Sequence, residues 1–186
     1  MTRAISRSLS LAAFLALPET EPASEYINGQ IFQKPMPKTR HSRLQGKLSS
    51  VINVQAEPLK VAYAFPELRC TFGGQSTVPD IAVLRWEHIE FGETGEPVDD
   101  ILIAPDWTIE ILSPDQRTNR VTGNILHCLK NGCQLGWLLD PDDRSVIVFL
   151  PKQEPEFLFG DAVLPVLDGI ELSLTVEQVF GWLRME

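Results

Sequence analysis

Apolar positions recur along this chain with two different periods, and the switches between them outline its elements. Leu9 to Leu17 is a short apolar block that Ser10 can cap and Pro18 ends, which predicts a first helix. Glu25-Tyr26-Ile27-Asn28-Gly29-Gln30-Ile31-Phe32 reads as a β-hairpin, because Asn-Gly supplies the two positive φ angles of a tight turn. A polar, basic connector from Lys34 to Arg40 leads into a helix of about 16 residues, where Leu44, Leu48, Val51, Ile52 and Ala56 keep helical spacing until Pro58.

Strand-like runs then dominate: Val61–Phe65 and Leu68–Phe72 around a turn at Pro66-Glu67, Asp80–Trp86 after a Gly-Gly loop, and Trp107–Leu112. Gly92–Asp100, rich in Gly and acids, is expected to be an exposed excursion. Thr118 or Asn119 can cap a helix running to Lys130, with Asn131-Gly132 as its stop. Leu135–Asp140 and Ser145–Leu150 predict a hairpin around Pro141-Asp142-Asp143, and Thr175 caps a last helix from Val176 to Leu183. The pattern predicts one α/β domain of mixed α+β character over residues 1–186, with residues 1–24 as an N-terminal helix and connector.

Charge changes this picture only in its distribution. The net charge of -9 argues against broad, unspecific nucleic-acid binding. Residues 1–60, however, carry eight Lys/Arg against four Asp/Glu, whereas residues 61–186 carry eight against 21. A basic face on an acidic body is therefore compatible with the composition. Cys70, Cys128 and Cys133 fit no zinc spacing and read as buried, reduced thiols, as in a cytoplasmic protein. Arg3 and Arg7 before Leu9–Leu17 loosely imitate a signal peptide, but Pro18, Glu19 and Glu21 stand where a small-residue cleavage site belongs. No segment is long or apolar enough to span a bilayer. The apolar hairpin Leu135–Leu150, with Trp137 and Phe149, is more than one small sheet face needs and suggests a homodimer.

Two acids carry the chemistry. Asp80 stands in Val78-Pro79-Asp80-Ile81-Ala82-Val83-Leu84, and Glu110 in Trp107-Thr108-Ile109-Glu110-Ile111-Leu112. A carboxylate in such a run is costly unless it is paired or metal-bound. Two of them on neighbouring strands would form an oxygen-rich site suited to Mg²⁺ or Mn²⁺. That arrangement points to metal-dependent phosphodiester hydrolysis. Asp106 also follows a Pro, but it lies four residues from Glu110, about 13 Å along an extended strand, so the two could not share one ion.

The ordered set Pro79-Asp80, Ala104-Pro105-Asp106, Ile109-Glu110-Ile111-Leu112-Ser113-Pro114, Gly132 and Gly136-Trp137-Leu138-Leu139-Asp140-Pro141 resembles a bacterial family of restriction-endonuclease-like proteins. That family is numerous in cyanobacteria and is assigned to the PD-(D/E)XK nuclease fold. The similarity extends to Phe14-Leu15-Ala16-Leu17-Pro18, the hairpin with Glu25 and Asn28-Gly29, and His41. It implies a restriction-endonuclease-like fold, a central mixed β-sheet flanked by helices, and hydrolysis of DNA with Mg²⁺ or Mn²⁺ held by Asp80 and Glu110. Glu25 matches an acidic position of the family and is a candidate third ligand, whereas Gln30 stands where an acid is common.

The chain departs from the pattern where a lysine is expected. Nucleases of this fold usually carry one two residues after the second acid, where this chain has Leu112. In the resembling family it stands on the following helix, at the position of Asn124, and asparagine brings no positive charge. Arg120, one turn before Asn124, is the candidate substitute. The basic run Lys34, Lys38, Arg40, Arg43 and Lys47 beside His41 could contact phosphates, and of it Lys38, Arg40 and Arg43, with His41, are the candidate contacts. The rival to an endonuclease is a nuclease-fold protein without turnover that binds nucleic acid or another protein.

Overall fold

Two sheets share the strands of this computed structural model, which describes residues 9–114 and 116–185. In chain order the elements are α1 (Leu11–Leu15), β1 (Ser24–Ile27), β2 (Gln30–Gln33), α2 (Thr39–Ala56), β3 (Ala62–Pro66), β4 (Cys70–Phe72) and β5 (Gln75–Thr77). There follow β6 (Ile81–Arg85), a 3₁₀ turn (Trp86–His88), β7 (Trp107–Ile111), α3 (Thr118–Lys130), β8 (Leu135–Asp140), β9 (Ser145–Phe149), β10 (Glu156–Phe159) and α4 (Val176–Gly181). The large sheet runs β10-β9-β8-β7-β6-β3 and the small one β2-β1-β5-β4. Only β7 and β8 pair in parallel, joined by α3 as the crossover helix, so the large sheet is mixed.

The predicted helices form, but α3 begins at Thr118 with Arg117 at its N-cap and no side-chain cap bond, so neither Thr118 nor Asn119 caps it. Ser10 accepts the Ala13 N–H and caps α1, and Thr175 with Gln178 closes a capping box on α4. Arg3 and Arg7, the basis of the leader-like reading, lie outside the described residues. Leu44, Leu48, Ile52 and Ala56 form one fully buried stripe of α2, packed with Ala62, Ala64, Ile81, Val83, Ile109, Ile111 and Trp137 in the main core. Asn53, also on α2, exchanges hydrogen bonds with both the N–H and the C=O of Ala64 and so holds edge strand β3. The opposite face of the sheet receives α3, whose Val121 and Ile125 meet Leu138 and Phe149. That approach is close enough to require Gly136, since a Cβ there would stand 2.4 Å from the Ile125 side chain.

Three expectations need correction. Leu68–Phe72 does not turn back onto β3: Gly73 and Gly74 both take positive φ and fold β4 onto β5, a strand not anticipated, within the small sheet. The second surprise is β10, with mostly exposed side chains that give no burial alternation to read. Third, Trp137 is fully buried against Trp107 and Phe149 is buried under α3, so the apolar hairpin taken to signal a dimer is consumed inside the chain. Among the described residues, no helix is long and apolar enough to cross a membrane.

Candidate active site

Strands β6 and β7 set the site. Their antiparallel register pairs Ile81 with Ile109, so one step further places Asp80 opposite Glu110. Ile109 and Ile111 point into the α2 core, which by alternation turns Glu110 to the α3 face, and Asp80 shares it. Both are almost wholly buried, at 0% and 3% exposure. Asp80 has a dense set of partners. Its Oδ1 accepts from Lys34 Nζ at 2.6 Å, and its Oδ2 accepts from the Ile111 N–H at 2.7 Å and from His41 Nε2 at 3.0 Å. Lys34 Nζ also donates to the Val78 carbonyl at 2.7 Å.

The small sheet adds the third acid. Glu25, on β1, accepts the Val78 N–H at 2.9 Å, and Asn124 Nδ2 of α3 lies 3.3 Å from each of its carboxylate oxygens. The hairpin pairs Glu25 with Phe32, and Lys34 is two residues beyond, so the ammonium and the carboxylate emerge on one side of the hairpin. Glu25, Lys34, Glu110, Arg120 and Asn124 line a cavity of about 210 Å³, while Asp80 is not among its lining residues.

Electrostatics separates the three acids. Burial works against the Asp80 charge, but the Lys34 ammonium and the His41 hydrogen bond outweigh it and bring its pKa down to about 2. Glu110 goes the other way: burial raises its pKa well above the usual range, the nearby Asp80 charge adds to that, and Lys34 offsets only part. Burial also raises Glu25. For Lys34 burial disfavours the charge, yet the carboxylates of Asp80, Glu110 and Glu25 prevail and raise its pKa. Three acids thus share one buried ammonium, so ionising Glu110 and Glu25 together with Asp80 calls for a further balancing charge.

The donor set fits Mg²⁺ or Mn²⁺ in chemistry, since Asp80, Glu110 and Glu25 offer hard carboxylate oxygens. No group of three or more His, Cys, Asp or Glu side chains among the described residues is gathered tightly enough to hold an ion alone. Mg²⁺ is commonly held by one or two carboxylates, with water and substrate phosphate completing the shell. Asp80 and Glu110, opposite one another across β6 and β7, are one pair of carboxylates on the same sheet face.

Other candidates fall elsewhere. Leu112 packs beside the cluster formed by α3 and β8. Arg120 is half-buried at the cavity with its guanidinium 3.9 Å over the Phe32 ring, and no hydrogen bond joins it to the three acids among the described residues. Arg40 bonds Asp142 and the Pro141 carbonyl, and Arg43 bonds the Trp182 carbonyl, so both tie α2 to other elements. His41 is a buried partner of Asp80, and Lys38 occupies the N-cap of α2. Asp106 lies at the other end of β7, where it accepts from the Arg85 N–H and pairs with His88 Nδ1 at 2.9 Å.

Lys34 is the site residue that sequence reasoning passed over, as one cation in a basic connector. Two signals pointed to it: the absence of a lysine at 112 and 124, and a hairpin register that sets it beside Glu25.

A mixed sheet flanked by α2 and α3, with acids opposed on its antiparallel β6 and β7 and a third from an adjoining hairpin, defines a protein of the restriction-endonuclease-like class. The chain belongs to the Uma2 family, described as "Putative restriction endonuclease", whose model matches residues 11–177. It is 56% identical to a protein from Anabaena variabilis whose crystal structure is described as that of "a putative nuclease belonging to DUF820". The match has a TM-score of 0.92 and covers 94% of this chain and 99% of that one. No curated protein matches the chain significantly.

Proposed function

We propose that this protein is a divalent-metal-dependent endonuclease that hydrolyses DNA phosphodiester bonds, acting as one nuclease-like domain. The observation that carries the reading is the opposition of Asp80 and Glu110 on β6 and β7, beside a cavity that also receives Glu25 and Lys34. Family membership and the relative described as a nuclease support the same reaction class.

Asp80 and Glu110 would hold Mg²⁺ or Mn²⁺, which when bound lowers the pKa of a water and offsets charge on the scissile phosphate. The chain's own groups do the rest. His41 and the Ile111 N–H fix the Asp80 carboxylate in one orientation. Asn124 fixes Glu25, whose carboxylate faces the cavity and can orient the attacking water. Arg120, which lines the cavity, would meet a non-bridging or flanking phosphate oxygen. As the water oxygen bonds to phosphorus, the bond to the leaving deoxyribose oxygen breaks. The water's proton passes to solvent, and the leaving oxygen takes one from solvent.

Of the basic residues expected to touch nucleic acid, Lys38 and Arg40 line a second cavity of about 220 Å³ with His41 and Pro114, beside the site, where a flanking phosphate could lie. If the chain self-associates, the surface for it is edge strand β10, where Phe157 and Phe159 are exposed, rather than the buried β8–β9 hairpin.

Nicking of supercoiled plasmid and cleavage of single-stranded DNA, each with Mg²⁺ and Mn²⁺, test the reading. Cleavage is expected to need the metal and to disappear in Asp80→Ala. A folded protein that binds DNA yet cleaves neither substrate with either metal would favour the non-catalytic binding role.

A further inference from the structure

We propose that Lys34 is the lysine of this active site, delivered from the β1–β2 hairpin to do what neither Leu112 nor Asn124 can. The inference rests on the nuclease reading above and adds to it the source of the fixed positive charge.

Three observations place the role on Lys34. First, among the described residues its ammonium is the one Lys or Arg group bonded to a carboxylate of the cluster, at 2.6 Å from Asp80 Oδ1. The basic side chains Arg40 and Arg43 are spent on Asp142, Pro141 and Trp182, and Arg120 lies over Phe32. Second, Lys34 lines the cavity, whereas Asp80 does not, so a phosphate in the cavity would come to Lys34 ahead of Asp80. Third, the lysine is held and not merely nearby. It is buried, its Nζ is anchored to the Val78 carbonyl at 2.7 Å, and its N–H bonds the Ala23 carbonyl across the hairpin.

An ammonium makes three hydrogen bonds. Val78 and Asp80 take two, which leaves one directed by the geometry of the other two. In the hydrolysis this charge offsets the negative charge that grows on a non-bridging oxygen as water attacks. Lys34 keeps its proton throughout; the protons that move are those of the attacking water and the leaving oxygen, exchanged with solvent. The vacated positions fit this account. Asn124, on α3, is bonded to the Glu25 carboxylate and lines the same cavity, so a lysine there would enter it from α3.

The test compares wild type, Lys34→Met and Lys34→Met/Asn124→Lys in single-turnover DNA cleavage with Mn²⁺. Mn²⁺ affinity is measured by calorimetry and folding by thermal melting. Loss of the ammonium is expected to slow cleavage roughly a hundredfold, while Mn²⁺ affinity stays equal or tightens because a competing cation has left Asp80. Relocating the lysine to 124 should restore at least roughly a tenth of the lost rate. The double variant also covers failure of Lys34→Met to fold, since its ammonium balances the same acids; a folded, metal-binding but inactive double variant overturns the proposal. So does a Lys34→Met protein that cleaves as well as or faster than wild type, which would leave the nuclease reading intact and make Lys34 an occupant of the cation's place. Wild type that binds Mn²⁺ but cleaves no DNA overturns the nuclease reading and the role of Lys34 with it.

Discussion

Asp80 and Asp106 are one local motif used twice, and they end in different environments. Each follows a proline, each is buried, each accepts a backbone N–H, and each pairs with a histidine. Asp106 stops there. It ties Arg85 and the partly exposed His88 to the start of β7, with no second acid in the arrangement. Asp80 lies at the other end of the same strand pair, where Glu110 opposes it, Glu25 comes in from a second sheet, and a buried lysine is shared among all three. The lesson is that a buried, histidine-paired aspartate is by itself structural. What marks a reactive site is an excess of like charge around it, next to a cavity.

The largest expected effect breaks the Asp80 side. Asp80→Ala should abolish metal-dependent cleavage, a fall of at least about a hundredfold. It also takes from the buried Lys34 ammonium its hydrogen-bonded carboxylate, at a cost of about 3 kcal/mol seen in urea unfolding. Next comes Glu110→Gln, which should lose cleavage to a similar extent but change stability the other way. Removing one charge from a crowded buried set should raise metal-free stability by about 1 kcal/mol while erasing stabilisation by Mn²⁺. A Glu110→Gln protein that melts earlier than wild type without metal would show that the three acids do not repel.

Asp106→Asn tests the other half of the comparison. It should cost about 1–3 kcal/mol by weakening the His88 and Arg85 bonds, with cleavage per folded molecule unchanged. Lost cleavage in a folded Asp106→Asn protein would erase the distinction between the two aspartates. Smaller still is the effect of Asn124→Lys alone. With Lys34 already in place a second lysine is largely redundant, and the rate should move by less than about tenfold. The smallest effect belongs to β10, where Phe157→Lys should shift stability by no more than about 0.5 kcal/mol. Light scattering on that variant shows whether the exposed edge carries any self-association.

Much of this contrast could be read from the residues alone, and the part that could not has a physical cause. Asp80 and Glu110 stood out because short apolar, strand-like runs carry them, and the Asn28-Gly29 turn fixed the hairpin that brings Glu25. Asp106 could be set apart from Glu110 by strand rise alone. The partners of Asp80 were hidden, because Lys34 and Asp80 are 46 residues apart and meet only when two sheets pack. His41 stood out only as a candidate phosphate contact in a basic run, and the packing of α2 against β6 is what brings it to Asp80. Strand β5 escaped because Gly73-Gly74 reads equally as a loop or as a hairpin turn.

Calorimetric titration of Mn²⁺ into wild type, Asp80→Asn and Asp106→Asn tests the central claim most directly, because it asks for the ion without requiring the right DNA. One binding event is predicted for wild type and for Asp106→Asn, and none for Asp80→Asn. Equal binding by all three proteins, or none by wild type, would contradict the assignment of the cation to the Asp80 end of the sheet.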